Sequence, residues 1–216
     1  MSNAHAFIQA ALDAGALKFG TFTLKSGRVS PYFFNAGQFQ TGAQLAGLGQ
    51  FYAQAILESR VDFDMLFGPA YKGIPLVSAT AMALANQGRD VPYCFNRKQL
   101  KTYGDGGVTV GAPLSGKVLI VDDVITAGTA ILESIQLIQG AGARVAGVVV
   151  LLDRQERGSD SPLSAIMTLQ QSYGFPVMAV ATLGDILSLP SMQERFKPYL
   201  AQIAAYQAEY GVTAPI

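Results

Sequence analysis

Apolar residues recur in two rhythms along this 216-residue chain. One rhythm is the compact run: Met65 to Phe67, Val118 to Val121, Val145 to Leu152 and Val177 to Leu183. The other is a step of three and four. Leu45, Leu48, Tyr52 and Ile56 form one such stripe, Ile74, Val77, Ala81 and Leu84 a second, and Ile131 to Ile138 a third. Steps of this size predict helices with one buried face, and runs that are apolar throughout predict strands covered on both faces. Gly88 closes the second stripe, and Gly140 and Gly142 close the third. Ser161 followed by Pro162 predicts the start of another helix, with Gly174 as its stop. Strands alternating with helices in this way predict an α/β domain with a mainly parallel sheet between helical layers.

The ends of the chain follow other patterns. A short helix over about Ala4 to Ala14 leads into extended segments at Phe19 to Leu24 and Pro31 to Asn35. Residues 1–40 therefore predict a small hood rather than another strand–helix unit. The tail, Ser191 to Tyr210, predicts a helix. With no repeat and no linker long enough to divide it, the chain is expected to form one domain over 1–216. The stretch from Asn96 to Gly111 is rich in glycine and poor in apolar residues, and it carries Arg97, Lys98 and Lys101. It predicts a mobile loop over about 97–111. In a chain with so few charges, that concentration of cations suits an anion-binding lid as well as a plain surface loop.

Composition narrows the chemistry. Charged residues make up 14% of the chain, against a usual value of about 25%. The 15 basic and 15 acidic side chains cancel, which argues against a general nucleic-acid binder. Mean hydropathy is +0.29, yet the longest apolar run spans Val145 to Leu152, far below the roughly 18–20 residues that cross a bilayer. No basic segment followed by an apolar one opens the chain, so no signal peptide is expected. A cytoplasmic protein without membrane partners is the expectation. Cys94 is the single cysteine and His5 the single histidine. An intrachain disulfide is thus excluded, and histidine-dependent triads and multi-histidine metal sites are disfavoured.

The strongest chemical signal is the segment from Val118 to Ala130, an apolar strand that ends in Asp122 and Asp123 and then opens a helix through Thr126, Ala127, Gly128 and Thr129. Backbone N–H groups at such a turn converge at the positive end of a helix, which suits a monophosphate. The two acids suit the hydroxyls of a ribose. A buried acid pair with a helix cap at Thr126 or Thr129 would produce the same letters. A second turn, Phe67-Gly68-Pro69-Ala70-Tyr71-Lys72-Gly73, also follows a strand and opens a helix, and its glycines suggest unusual torsions. Lys72 at a helix start gains nothing from the dipole, so a nearby anion would explain it. A third segment runs from Leu24 to Asn35 and places Tyr32, Phe33 and Phe34 in a row near Lys25. That suits a flat anionic ring, or equally a hairpin with core aromatics. A fourth, Leu151 to Gly158, puts Arg154 and Arg157 at the carboxyl end of a strand, where a guanidinium can grip a carboxylate.

The strand, acid pair and Thr-Ala-Gly-Thr turn together resemble the signature of the type I phosphoribosyltransferases. The stretches LKFGTFTLKSGRVSPYFFNAG, FDMLFGPAYKGIP, PYCFNRK, VDDVITAGTA and LDRQERG resemble, in order, the orotate branch of that family. The resemblance implies a mainly parallel five-stranded sheet flanked by helices, a hood with C-terminal contributions and a flexible catalytic loop. It implies that the turn from Phe67 to Gly73 is the pyrophosphate-binding loop and holds a strained, cis peptide. It also implies Mg²⁺-dependent transfer of 5-phosphoribosyl from phosphoribosyl pyrophosphate (PRPP) to N1 of orotate, in pyrimidine nucleotide synthesis.

By resemblance, Lys25 contacts substrate near the base, Phe33 and Phe34 line the orotate ring, and Arg154 takes orotate. Tyr71, Lys72, Arg97, Lys98, Lys101 and Tyr103 serve the pyrophosphate end. Asp122, Asp123, Val124, Ile125, Thr126, Ala127, Gly128, Thr129 and Ala130 hold the ribose and its 5-phosphate, with Thr126 also near orotate. Lys101 and Asp123 carry the catalytic roles. The metal would be held mainly by PRPP and water. The family forms homodimers in which the mobile loop completes the neighbouring site. It commonly has a histidine where this chain has Tyr103 and an acid where it has Thr102. A phosphoribosyltransferase for a purine or uracil, and a PRPP-sensing regulator without catalysis, share the signature and remain as alternatives.

Overall fold

A computed structural model describes residues 1–24, 26–101, 107–126, 128–158, 161–189 and 196–212, with 100 and 101 described by backbone only. The central sheet has six strands among the described residues. They are β3 (Met65–Gly68), β4 (Tyr93–Lys101), β5 (Gly107–Gly111), β6 (Lys117–Val121), β7 (Arg144–Asp153) and β8 (Val177–Thr182). Their order across the sheet is β5-β4-β3-β6-β7-β8. All neighbours are parallel except β4 and β5.

The alternation of side chains assigns the two faces. Leu66, Leu119, Val121, Val149 and Leu151 share one core with α2 (Gly42–Ser59) and α3 (Gly73–Asn86). Met65, Phe67, Val118, Ile120, Val148 and Val150 share the other with α4 (Thr129–Gly140) and α5 (Ala165–Tyr173). A strand buried on both faces needs apolar residues at every position, which is why these strands read as continuous runs. The crossovers β3-α3-β4 and β6-α4-β7 leave the sheet in opposite directions, so β3 and β6 flank its topological switch point. The crevice beyond the carboxyl ends of such strands is the standard ligand site of parallel α/β sheets.

Helix α2 begins with a capping box: the Thr41 side chain accepts from Gln44 N–H, and the Gln44 side chain accepts from Thr41 N–H. It crosses α3 closely at Gly49, where a Cβ would collide with the backbone of Ala79.

The N-terminal region only partly matches its expected form. Helix α1 (Asn3–Asp13) buries Phe7, Ile8 and Ala11 in the α2–α3 side of the main core. Strands β1 (Leu17–Thr23) and β2 (Val29–Phe34) form a separate antiparallel hairpin. The last described helix, here α7 (Lys197–Tyr210), packs on that hairpin. Phe19 meets Phe196 at 4.7 Å and Tyr32 meets Tyr206 edge-on at 6.3 Å between ring centroids.

Four sequence expectations are corrected. The sheet has six strands rather than five, because Gly107–Gly111 pairs antiparallel with β4. Correspondingly, the arms of the stretch expected as a loop over 97–111 are strands, with Cys94 opposite Gly111 and Asn96 opposite Thr109. A backbone ladder at a sheet edge needs no apolar side chains, so the composition misled. Leu183 does not end a strand; it opens α6 (Leu183–Ser188), whose capping box joins Thr182 and Asp185. The helix expected from Ser161 starts three residues later, capped by Ser164, which accepts from Met167 N–H.

Candidate active site

The site is built from the turns that follow β3 and β6. Past Val121 the chain keeps bonding to β7: Asp122 N–H donates to Val149 O, and Leu151 N–H donates to Asp123 O. The ladder thereby carries both acids beyond the strand while holding them rigid, and they are only 8% and 7% exposed. The fully buried Tyr52 of α2 donates to the Asp122 carbonyl at 2.6 Å. Asp123 N–H donates to Asp122 Oδ1 at 2.9 Å.

Asp123 Oδ2 receives Lys72 Nζ at 2.6 Å, so these two residues from different turns meet across the switch point. Burial, and then the neighbouring charge of Asp123, push the Asp122 carboxyl up to about 7.

Beyond the acids, Val124 packs against the α3-side core and Ile125 against the α4-side core. The turn therefore straddles the sheet edge. Gly128 is the N-cap of α4, with a left-handed φ of 74° and no side-chain cap. The capping alternative for Thr126 and Thr129 is thus not what the structure adopts. Both threonines are exposed, and Leu132 N–H donates to Gly128 O at 2.9 Å. The first turn of α4 thus places backbone N–H groups at the positive end of a helix without a capping side chain, an arrangement that suits an anion.

The turn after β3 is compressed. Gly68 and Gly73 do not use the left-handed torsions expected for them. They permit close approach instead. A Cβ on Gly68 would strike Val77 Cγ1 at 2.6 Å, and one on Gly73 would strike Pro69 Cδ at 2.6 Å and Val121 O at 3.0 Å. The start of α3 can thus lie against the ends of β3 and β6, which brings Lys72 within reach of Asp123. The Ala70–Tyr71 peptide is cis, and Ala70 N–H donates to Asn96 Oδ1 at 2.6 Å. Tyr71 is 71% exposed.

From β4, Arg97 Nη1 donates to Gly107 O at 3.2 Å, and Lys98 Nζ meets Glu133 Oε2 of α4 at 3.4 Å.

At the end of β7, Arg154 lies over the Tyr32 ring, 4.3 Å from its centroid. Its Nη2 reaches Glu156 Oε1 at 2.7 Å and Ser30 Oγ at 3.2 Å, and its Nε donates to the same Glu156 oxygen at 3.0 Å. Phe33 and Phe34 point to opposite sides of β2. Phe33 is 37% exposed and stacks on Phe22 at 5.5 Å; Phe34 is 8% exposed and packs edge-on against Phe7 at 6.0 Å. The pair therefore does not present two rings to one ligand. Lys25, Tyr103, Ala127 and the side chain of Lys101 lie outside the described residues.

The structure brings together Lys72, Asp122, Asp123 and the start of α4. Tyr52, Asn96, Ser30, Glu156 and Tyr206 support the site and were not singled out from the sequence. Their partners lie far away in the chain, as with Tyr52 and Asp122, 70 residues apart.

A model of the phosphoribosyl transferase domain matches residues 36–178, which leaves the β1–β2 hairpin and α7 outside the match. Over 207 residues the chain is 56% identical to the orotate phosphoribosyltransferase of Pseudomonas aeruginosa, covering 95% of this chain and 97% of that protein. It is 58% identical to the protein of that name from Thioalkalivibrio sulfidiphilus, with the same coverage. The crystal structure of the Francisella tularensis orotate phosphoribosyltransferase matches with a TM-score of 0.86 at 48% identity, covering 95% of this chain and 99% of that one.

Proposed function

Because the chain belongs to the orotate phosphoribosyltransferases, with the type I phosphoribosyltransferase fold, we propose that the crevice at its switch point transfers 5-phosphoribosyl from PRPP to N1 of orotate. Orotidine 5′-phosphate and pyrophosphate are the products, a step of pyrimidine nucleotide synthesis. The observation that carries the residue assignment is the meeting of Lys72 and Asp123 beside the uncapped start of α4. It gathers a cation, two hydroxyl-binding acids and a phosphate-binding helix end in one crevice.

The roles follow from the chemistry. The 5-phosphate takes the N–H groups at the start of α4, with the Thr126 and Thr129 hydroxyls beside it. Asp122 and Asp123 accept hydrogen bonds from the ribose hydroxyls. Breaking the C1–pyrophosphate bond develops positive charge on the ribose ring and negative charge on the leaving group. The acid pair favours the former, and Lys72, Arg97, Lys98 and Lys101 the latter. Orotate is already an anion and competent as a nucleophile, so no side-chain nucleophile is needed. Lys72 must leave Asp123 for the pyrophosphate, and Asp123 is then free for the ribose. Arg154 takes the orotate carboxylate under a hood made of the β1–β2 hairpin and α7. Lys25 and exposed Phe33 approach the base, and Tyr103 donates to pyrophosphate. Closing of the segment over about 97–111 excludes the water that would hydrolyse PRPP.

The acid pair supplies hard oxygen donors of the kind Mg²⁺ takes. The ion is read as held mainly through substrate oxygens and water beside Asp122 and Asp123. When bound, it supplies charge neutralisation at the leaving pyrophosphate.

We further propose a homodimer in which Lys98 and Lys101 complete the neighbour's site; Lys98 must then release Glu133. Among the described residues, no helix is long and apolar enough to cross a membrane. PRPP is a polyanion that does not cross membranes, which supports cytoplasmic operation.

The experiment is the loss of orotate absorbance on mixing protein, orotate, PRPP and Mg²⁺. Loss that requires all of them is expected. Turnover of uracil or a purine in preference to orotate would overturn the base assignment, and PRPP binding without any turnover would point to a sensor.

A further inference from the structure

Glu156 is a part-buried acid that the proposed mechanism leaves unused. Its side chain is 12% exposed, and it collects donors from three parts of the chain. Oε1 accepts from Arg154 Nε at 3.0 Å, lies 2.7 Å from Arg154 Nη2, and accepts from Tyr32 hydroxyl at 2.8 Å. Oε2 accepts from Tyr206 hydroxyl at 3.1 Å. Tyr32 comes from β2 and Tyr206 from α7.

The backbone around Glu156 is tied down as well. Arg157 N–H donates to Tyr210 O, and Val212 N–H donates to Gln155 O. Arg28 of the hairpin turn donates to the carbonyls of Arg157 and Gly158 at 2.8 and 2.9 Å.

We infer that Glu156 is a positioning residue that locks the Arg154 guanidinium with one edge toward the substrate, and that α7 takes part in base recognition through Tyr206. This rests on the reading of Arg154 as the orotate carboxylate's partner. The geometry assigns the edges. Glu156 occupies the side of the guanidinium carrying Nε and Nη2, Ser30 takes a further Nη2 donor, the Tyr32 ring covers one face, and the Tyr206 hydroxyl lies beside the group as well. Nη1 is then the end offered to a substrate carboxylate. Without Glu156 the guanidinium keeps its charge but loses the contacts that fix its plane. A misplacement of about 1 Å at a recognition group costs on the order of 10²-fold.

The test is steady-state kinetics of Arg154→Ala, Glu156→Ala, Glu156→Gln, Tyr206→Phe and the Arg154→Ala/Glu156→Ala double variant. Glu156→Ala should raise the KM for orotate about 10- to 100-fold while the KM for PRPP stays within about twofold. Glu156→Gln keeps an oxygen acceptor and should recover most of that loss. Tyr206→Phe should show a smaller rise in the same constant. The double variant should be no worse than Arg154→Ala alone, because Glu156 acts only through that arginine.

A purely structural role would lower the unfolding temperature and leave the ratio of the two KM values unchanged. That outcome, or additive losses in the double variant, would overturn the inference. If Arg154→Ala itself leaves the orotate KM unchanged, it is the assignment of Arg154 that fails. Should Glu156→Ala not fold, Tyr206→Phe decides: no rise in its orotate KM refutes the proposal.

Discussion

Asp122 offers a test in which stability reports on the active site. In the folded protein its carboxyl is pushed up to about 7 from an ordinary 3.8, by burial first and the Asp123 charge second. Between those two values the native state holds a proton that the unfolded chain has lost. Stability from this group is therefore complete below about pH 4, falls as pH rises toward 7, and is level above that. From pH 5 to pH 8 the fall covers about two pH units at about 1.4 kcal/mol each, or roughly 3 kcal/mol.

Asp122→Asn keeps the oxygen that accepts from Asp123 N–H but cannot ionise. Its unfolding temperature relative to the parent should rise on going from pH 5 to pH 8. For a chain of this size the change should be about 6–12 °C, at about 2–4 °C per kcal/mol. Thermal unfolding of both proteins without ligand, at several pH values, measures it. Titrating groups that do not interact with Asp122 are common to both proteins and cancel in the difference. A difference that stays flat with pH, or shrinks as pH rises, would refute the reasoning. The same variant should lose turnover, because the charge that destabilises the free protein is the one proposed to meet the ribose. Strain of this kind is expected at functional sites.

Two further perturbations separate architecture from chemistry. Gly73→Ala places a methyl against Pro69, the Gly68 carbonyl carbon and Val121 O; it should destabilise by about 1–3 kcal/mol in denaturant unfolding and raise the KM for PRPP. Lys72→Ala removes an ion pair whose lysine side chain is half exposed. Because the Asp123 carboxylate it leaves behind is buried, the loss of stability should be about 1–3 kcal/mol, while kcat/KM for PRPP falls about 10-fold or more.

The main sheet was legible because strands covered on both faces cannot hide their apolar runs, and the phosphate turn was legible because its residues are contiguous. Local competition blurred the rest. Ser161 and Ser164 both precede apolar residues, and only the coordinates show that the later one caps α5. Helix α6 is short and follows a strand without a break, so its Thr182–Asp185 capping box was passed over. Strand β5 carries glycines that read as loop. Gly68 and Gly73 read equally as torsional freedom or as close approach, because both demand the same residue type. The network around Glu156 was out of reach, since it joins residues 124 and 50 positions apart. No local spacing announces such pairs.

The most direct test of the account is a crystal structure with orotidine 5′-phosphate bound. The account predicts the phosphate on the N–H groups at the start of α4, the ribose hydroxyls on Asp122 and Asp123, and the orotate carboxylate on Arg154. A nucleotide bound with its phosphate away from α4, or with Arg154 making no contact to the base carboxylate, would contradict it.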